Sequence, residues 1–354
     1  MATTFAVPDG RVAMAATLWT GDGTTSRSIA NTVNTVSFQP DLIWVKQRNI
    51  AQSHALTDSV RGAGALLASN ATSAEDTSTT YGQVTAFSST GFTASKGSDP
   101  TFSYFNQNTG TFVGWQWKAG GTAVSNTAGT ITSSVSANTT AGFSVVTYTG
   151  TGANATVGHG LGVAPSMIIA KKTSNPGNWM VYHSGISGMS TGYIFLNTAA
   201  AFTSGYPSVW NSTAPAASVF SLGSDGNINT SGATNVAYCW APVAGYSAFG
   251  SYTGNGSADG PFIYTGFRPR WLMRKRTDSS TDGSWIIYDT SRIAYNANNL
   301  VLFAEASLAE VTGAPIDILS NGFKLRDSAA GNTSGATYIY AAFAENPLRY
   351  SNAR

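Results

Sequence analysis

The chain is 354 residues long and only 10% of them are charged, against about 25% in an ordinary soluble domain. A formal net charge of +2, with no Lys/Arg cluster larger than the four cations around Arg274, excludes a nucleic-acid-binding face. With 42% hydrophobic and 12% aromatic residues the chain buries real cores, and Gly, Ser, Thr, Ala and Asn take the place of charge on its surface.

The first fifteen residues have no counterpart later in the chain. They read either as a disordered terminus or as a segment that docks on a partner. No basic start runs into an apolar stretch, and no run of eighteen apolar residues occurs, so neither a secretory signal nor membrane insertion is expected.

From there one phrase is stated three times: FQPDLIWVK at 38–46, VAPSMIIAK at 163–171 and FRPRWLMRK at 267–275. Each is a proline turn, a run of large or β-branched residues and a lysine, which predicts a strand entering a buried sheet. Pro40 and Pro165 are 125 residues apart and Pro165 and Pro269 are 104 apart, spacings of domain size.

Around the phrase, other segments recur in the same order. Each unit opens on a strand running into a glycine turn: TLWTGDG at 17–23, VTYTGTG at 146–152 and GSYTGNG at 250–256. After the proline phrase comes a second strand with a polar tip, in HALTDSVRG (54–62), WMVYHSGI (179–186) and WIIYDTSR (285–292). A third apolar phrase follows at 65–70, 193–198 and 299–304. Then β-hairpins are predicted at 84–95, 218–229 and 316–327, where a strand meets a small-residue turn. Each unit closes on an aromatic-rich strand, at 111–119, 234–242 and 337–347.

The predicted organisation is a leader (1–15), three units (16–120, 143–247 and 248–354) and a Thr/Ser-rich linker (121–142) able to add short strands through TAVS and TITSSV. ASLAEV at 306–311 is the best helical stretch, worth one or two turns. The expected fold is all-β: three tandem, separately cored β-sandwiches of jelly-roll or lectin-like type.

The chemistry-bearing residues do not assemble into a familiar site. Cys239, in VAYCW, reads as a small buried hydrophobe. His159, in the glycine turn VGHGLG, reads as a surface residue, and no zinc spacing joins it to His54 or His183. Asp58, His183 and Asp289 recur at one strand end, as expected of a hydrogen bond to a turn. GSDGN and TDSSTDGS lack the EF-hand spacing and read as turns. The tryptophans read as core, except Trp210 in the polar stretch PSVWNST, the candidate for stacking on a sugar at the surface. No catalytic residue, metal ligand or cofactor is assigned.

FQPDLIWVKQRN with SHALTDSVRGA, SSTGFTAS, TFVGWQWKAGG, AGFSVVTYTGTGANATVGHGLGVAPSMIIAKK and GSYTGNGSADGPFIYTGFRPRW, with ILSNGFKLRD and YIYAAFAENP, resemble a repeat family of tailed-bacteriophage virion proteins. Members are tail fibre or tail proteins, some of them head fibre or decoration proteins. The resemblance implies a non-enzymatic structural protein of the virion, assembled in the host cytoplasm and involved in host attachment. It implies identical chains as partners in a homotrimer, other virion proteins docked through the leader, and a host-surface glycan or protein. Capsid decoration, and a glycan-binding or glycan-degrading module, are the alternatives.

Overall fold

The computed structural model describes residues 5–345. The proline phrases form strands Leu42–Gln47, Met167–Lys172 and Pro269–Arg276, buried along almost their whole length. A run of apolar residues without alternation suits a strand covered on both faces, and that is its position here.

In every repeat the strand order is opening, closing, proline, polar-tipped, all antiparallel. The opening strands are Met14–Thr20, Phe143–Thr149 and Ser247–Thr253, and the closing strands Thr111–Trp117, Thr234–Trp240 and Thr337–Ala344. The register is the same each time: Leu42 faces Trp117, Met167 faces Trp240 and Trp271 faces Phe343. On the other side Leu42 faces Asp58, Met167 faces His183 and Trp271 faces Asp289. Pro40, Pro165 and Pro269 therefore mark equivalent corners.

The outer face of each sheet carries a second layer. In the first repeat this is the three-stranded sheet Arg27–Ala30, Gly91–Ser95 and Gln83–Ser88. Trp19, Ile43, Val45, Phe92 and Phe112 fill the space between the layers. The second repeat uses Ala155–Gly158 with Val219–Leu222, and the third uses Val311–Leu319, Gly322–Leu325 and Phe262–Tyr264.

The inner faces of all three sheets meet. Trp44, Trp117, Ile169, Trp240, Met273 and Phe343 belong to one hydrophobic core. Trp117 makes edge contacts with Trp240 at 6.0 Å, Trp271 at 5.3 Å and Phe343 at 5.7 Å. The void left between them is about 10 Å³, at the lower limit for holding a single water molecule. Separate cores are thus corrected to one shared core, with the Trp19 cluster private to the first repeat.

The joins are cyclic. Glu75 N–H donates to the Thr173 carbonyl, Phe202 N–H to Thr277 and Glu310 N–H to Arg48, each at 2.8 Å. First repeat meets second, second meets third, and third returns to first.

The linker is a strap on the second repeat: Val124–Asn126 and Ser133–Asn138 extend its sheet beyond the opening strand. In the leader, Val7 is buried in the shared core, so residues 5–13 order against the chain itself. Residues 218–229 give one strand, Val219–Leu222, and no hairpin, because its partner is Ala155–Gly158. Residues 306–310 are not helical; Glu310 there binds Arg48 and Arg292. Among the described residues no helix is long and apolar enough to cross a membrane.

Candidate functional site at the joins between repeats

The recurrent polar strand ends lie at the joins. Asp58 Oδ1 accepts from the N–H groups of Val60 and Arg61, closing the turn after its strand. Its Oδ2 takes Arg61 Nε at 2.6 Å and the Tyr238 hydroxyl of the second repeat at 2.9 Å. Asp289 repeats the pattern with Ser291 N–H, Arg292 N–H and Arg292 Nε, and Trp115 Nε1–H of the first repeat donates to it at 3.0 Å. Burial pushes the Asp289 carboxyl up, but Arg292 and the Trp115 indole outweigh it and hold the group below the ordinary aspartate value. Arg61 and Arg292 reach on to Glu75 and Glu310.

His183 fills the same place in the second repeat. Its Nδ1 accepts from Gly185 N–H at 3.0 Å, so its Nε2–H donates to the Tyr340 carbonyl of the third repeat, also at 3.0 Å. The closing-strand position that carries Trp115 in the first repeat and Tyr238 in the second is Ala341 in the third. With no side-chain donor opposite, an imidazole that donates to backbone replaces a carboxylate that accepts from a ring. The turn bond expected of Asp58, His183 and Asp289 is present, and each adds a tie to the next repeat.

A second ring of ties begins one residue before each polar-tipped strand. Trp179 Nε1–H donates to the Ala68 carbonyl at 2.9 Å and Trp285 Nε1–H to Phe195 at 2.8 Å. His54 Nδ1 accepts from Trp44 Nε1–H at 2.8 Å, leaving Nε2–H to donate to the Phe303 carbonyl at 2.9 Å. His54 and His183 are therefore committed to different joins. Desolvation lowers His54 to about 3 and His183 to about 4.

The phrase lysines Lys46, Lys171 and Lys275 are buried, and desolvation lowers each to about 8. Their ammonium groups donate to main-chain carbonyls: Lys46 to Gln47 at 2.7 Å, Lys171 to Lys172 at 2.8 Å, and Lys275 to Ala199 at 3.0 Å and to Gly283. A buried asparagine that the sequence reading passed over also recurs. Asn106, Asn229 and Asn332 each accept, through Oδ1, the N–H that opens the glycine turn (Asp22, Thr151 and Asn255), and each spends its amide on carbonyls nearby. The signal was Asn followed three residues on by a left-handed residue: Thr109, Gly232 or Gly335.

Trp210 is corrected. The helical turn Pro207–Trp210 turns its indole inward against Tyr182 at 5.7 Å, leaving it 1% exposed and unable to stack on a surface sugar. His159 is corrected too: it is buried, donating through Nε2 to Ala216 and accepting from Leu161 N–H. Cys239 is buried, and desolvation raises its thiol far above its ordinary value. GSDGN is a turn in which Asp225 accepts from Asn227 N–H, and Asp278 of TDSSTDGS pairs with Arg276. Among the described residues no group of three His, Cys, Asp or Glu is placed to hold a metal.

A family model described as "Domain of unknown function (DUF7483)" matches residues 12–347, which span all three repeats and the strap. The chain belongs to the DUF7483 family. No curated protein matches it.

Two surface grooves lie on this DUF7483 chain near the joins. One, of about 440 Å³, is bordered by Asp41, Lys118 and Asn138. Asp41 is raised by burial, although Ser59 Oγ and Ala119 N–H donate to it. The other, of about 500 Å³, lies between repeats two and three, bordered by Ile186, Ser187, Phe202, Ser251, Thr253 and Asp278.

Proposed function

We propose that the protein is a non-enzymatic structural component of a bacteriophage virion, a tail fibre or tail appendage protein that takes part in attachment to the host. The resemblance of its repeated phrases supports this reading. The observation that carries it is the use made of the recurrent Asp58, His183 and Asp289: each is spent on a turn and on a neighbouring repeat, as suits a building block. The partners proposed are identical chains, other virion proteins and a host-surface glycan or protein. Contact with the virion falls to faces other than residues 5–13, which pack on the chain itself.

A second reading, capsid decoration or head fibre, is favoured by the cyclic joins, since three repeats closed around one core make a knob and not a rod. Electron microscopy of antibody-labelled particles, and of particles assembled without this protein, tests both. Label on the tail with lost appendages and lost adsorption supports the first reading, and label over the shell supports the second. Unlabelled particles of unchanged morphology and adsorption would contradict the virion assignment. Shortening of purified host polysaccharide by the protein would favour the glycan-degrading alternative.

A further inference from the structure

Each opening strand is the outermost of the four strands shared by all repeats, so half of its backbone groups face away from the closing strand. In the second repeat the strap fills that edge: Ser133–Asn138 lies antiparallel on Phe143–Thr149, with Val145 opposite Ser136 and Thr147 opposite Ser134. In the first repeat the Ala16 carbonyl on that edge accepts from Arg270 Nη2 at 3.2 Å and from Ser291 Oγ at 2.8 Å.

The third repeat has neither device. Ser247–Thr253 holds the same register on its closing strand, Ser247 facing Phe343 as Phe143 faces Trp240. The Tyr246 carbonyl and Gly254 N–H bond the closing strand, and strand alternation then turns the backbone groups of Phe249, Ser251 and Thr253 outward. No described residue hydrogen-bonds to them. Ser251 and Thr253 are exposed, and the 500 Å³ groove lies alongside, walled by Gly185–Ser187 and Phe202 of the second repeat.

We propose that this edge accepts an extended strand from a partner chain, an uncharged segment of small Ser, Thr and Ala residues. The chemistry of the occupant follows from the occupied copy of the same site, because Ser133–Asn138, which fill it in the second repeat, and the rest of the linker 121–142 contain no charged residue. Charge matches as well: the carboxylate that borders the groove, Asp278, is already paired with Arg276 at 2.9 Å, so a charged strand would lose water and gain no partner. The groove continues the join between repeats two and three. Main-chain bonds to the edge then supply the attraction, as in β-strand addition. This inference stands on the pairing pattern and is independent of the virion reading.

A synthetic peptide of residues 129–139, GTITSSVSANT, added to the intact chain is the probe. Saturable binding is expected, with exchange protection of the Phe249, Ser251 and Thr253 amides. Ser251→Pro removes one outward N–H and no internal bond, as an edge strand tolerates, and is expected to weaken binding by about tenfold or more with the melting temperature retained, as main-chain recognition requires. Ser251→Ala should bind like the unmodified chain. If Ser251→Pro does not fold, the protection pattern of the unmodified chain decides. Absence of saturable binding, protection elsewhere, equal binding by a folded Ser251→Pro variant, or a dimer formed through this edge in place of peptide binding would each overturn the proposal.

Discussion

Trp115 Nε1–H donates to Asp289 Oδ2 at 3.0 Å although the two residues are 174 positions apart, one in the closing strand of the first repeat and one at a strand end of the third. The bond closes the ring of repeats and lies beside the Arg292 guanidinium, which stacks over the Trp115 ring at 5.9 Å. Asp289→Ala leaves the fully buried Arg292 with Glu310 as its remaining carboxylate and is expected to cost about 3 kcal/mol, the low end for a broken buried pair, in denaturant unfolding. Trp115→Phe keeps the ring and loses the donor, for about 1–3 kcal/mol.

The position of His54 is taken by tryptophan in the other repeats, while that of Trp44 is taken by Ile169 and Met273. Each join therefore has room for one indole at this pair. His54→Trp alone should overpack the core by about 1–3 kcal/mol. Trp44→Ile alone should leave a cavity and a His54 Nδ1 without its donor. The double variant should recover part of both losses, so a double-mutant cycle should show a favourable coupling of about 1 kcal/mol or more.

The stability of the fold should follow its buried bases. His54, at about 3, and His183, at about 4, bind protons less readily folded than unfolded, so stability should fall as pH drops from about 6.5 toward 4. His183→Gln should flatten part of that slope. The lysines, at about 8, have the same sign in a higher window: stability should rise from pH 8 toward about 10 as the unfolded chain alone stays protonated. Above that, Tyr148 and Tyr246, which burial keeps protonated, reverse the slope. Unfolding free energies across this pH range check both windows.

Thr109 has φ of +61°, where its counterparts are Gly232 and Gly335. A β-branched residue is strained in the left-handed region. Thr109→Gly should therefore stabilise the chain by about 1 kcal/mol, read as a raised melting temperature.

The strands were legible because burial on both faces leaves an unbroken apolar run, as in Leu42–Gln47. Equivalence of the repeats was legible through the prolines. What lay across each buried face was not, since a run of apolar residues records that a side chain is covered and not which element covers it. Trp44 and Trp117 read as core of their own unit, yet they meet residues more than a hundred positions away. Trp210 misled because its neighbours in sequence are polar while the turn beginning at Pro207 points the indole inward. Of the site, Asp58, His183 and Asp289 were visible as a recurrence, but their partners Tyr238, Tyr340 and Trp115 belong to other repeats and share no spacing with them. The strap was legible in its composition and in the short strands expected at TAVS and TITSSV, but not in its pairing, which depends on the edge that Phe143–Thr149 leaves open.

One shared core is the claim on which the rest depends. Native-state hydrogen exchange across a denaturant series, followed at the amides of Trp44, Ile169 and Met273, tests it most directly. The account predicts that all three converge on one opening free energy and lose protection together. Three distinct opening free energies, each repeat unfolding while the others stay protected, would contradict it.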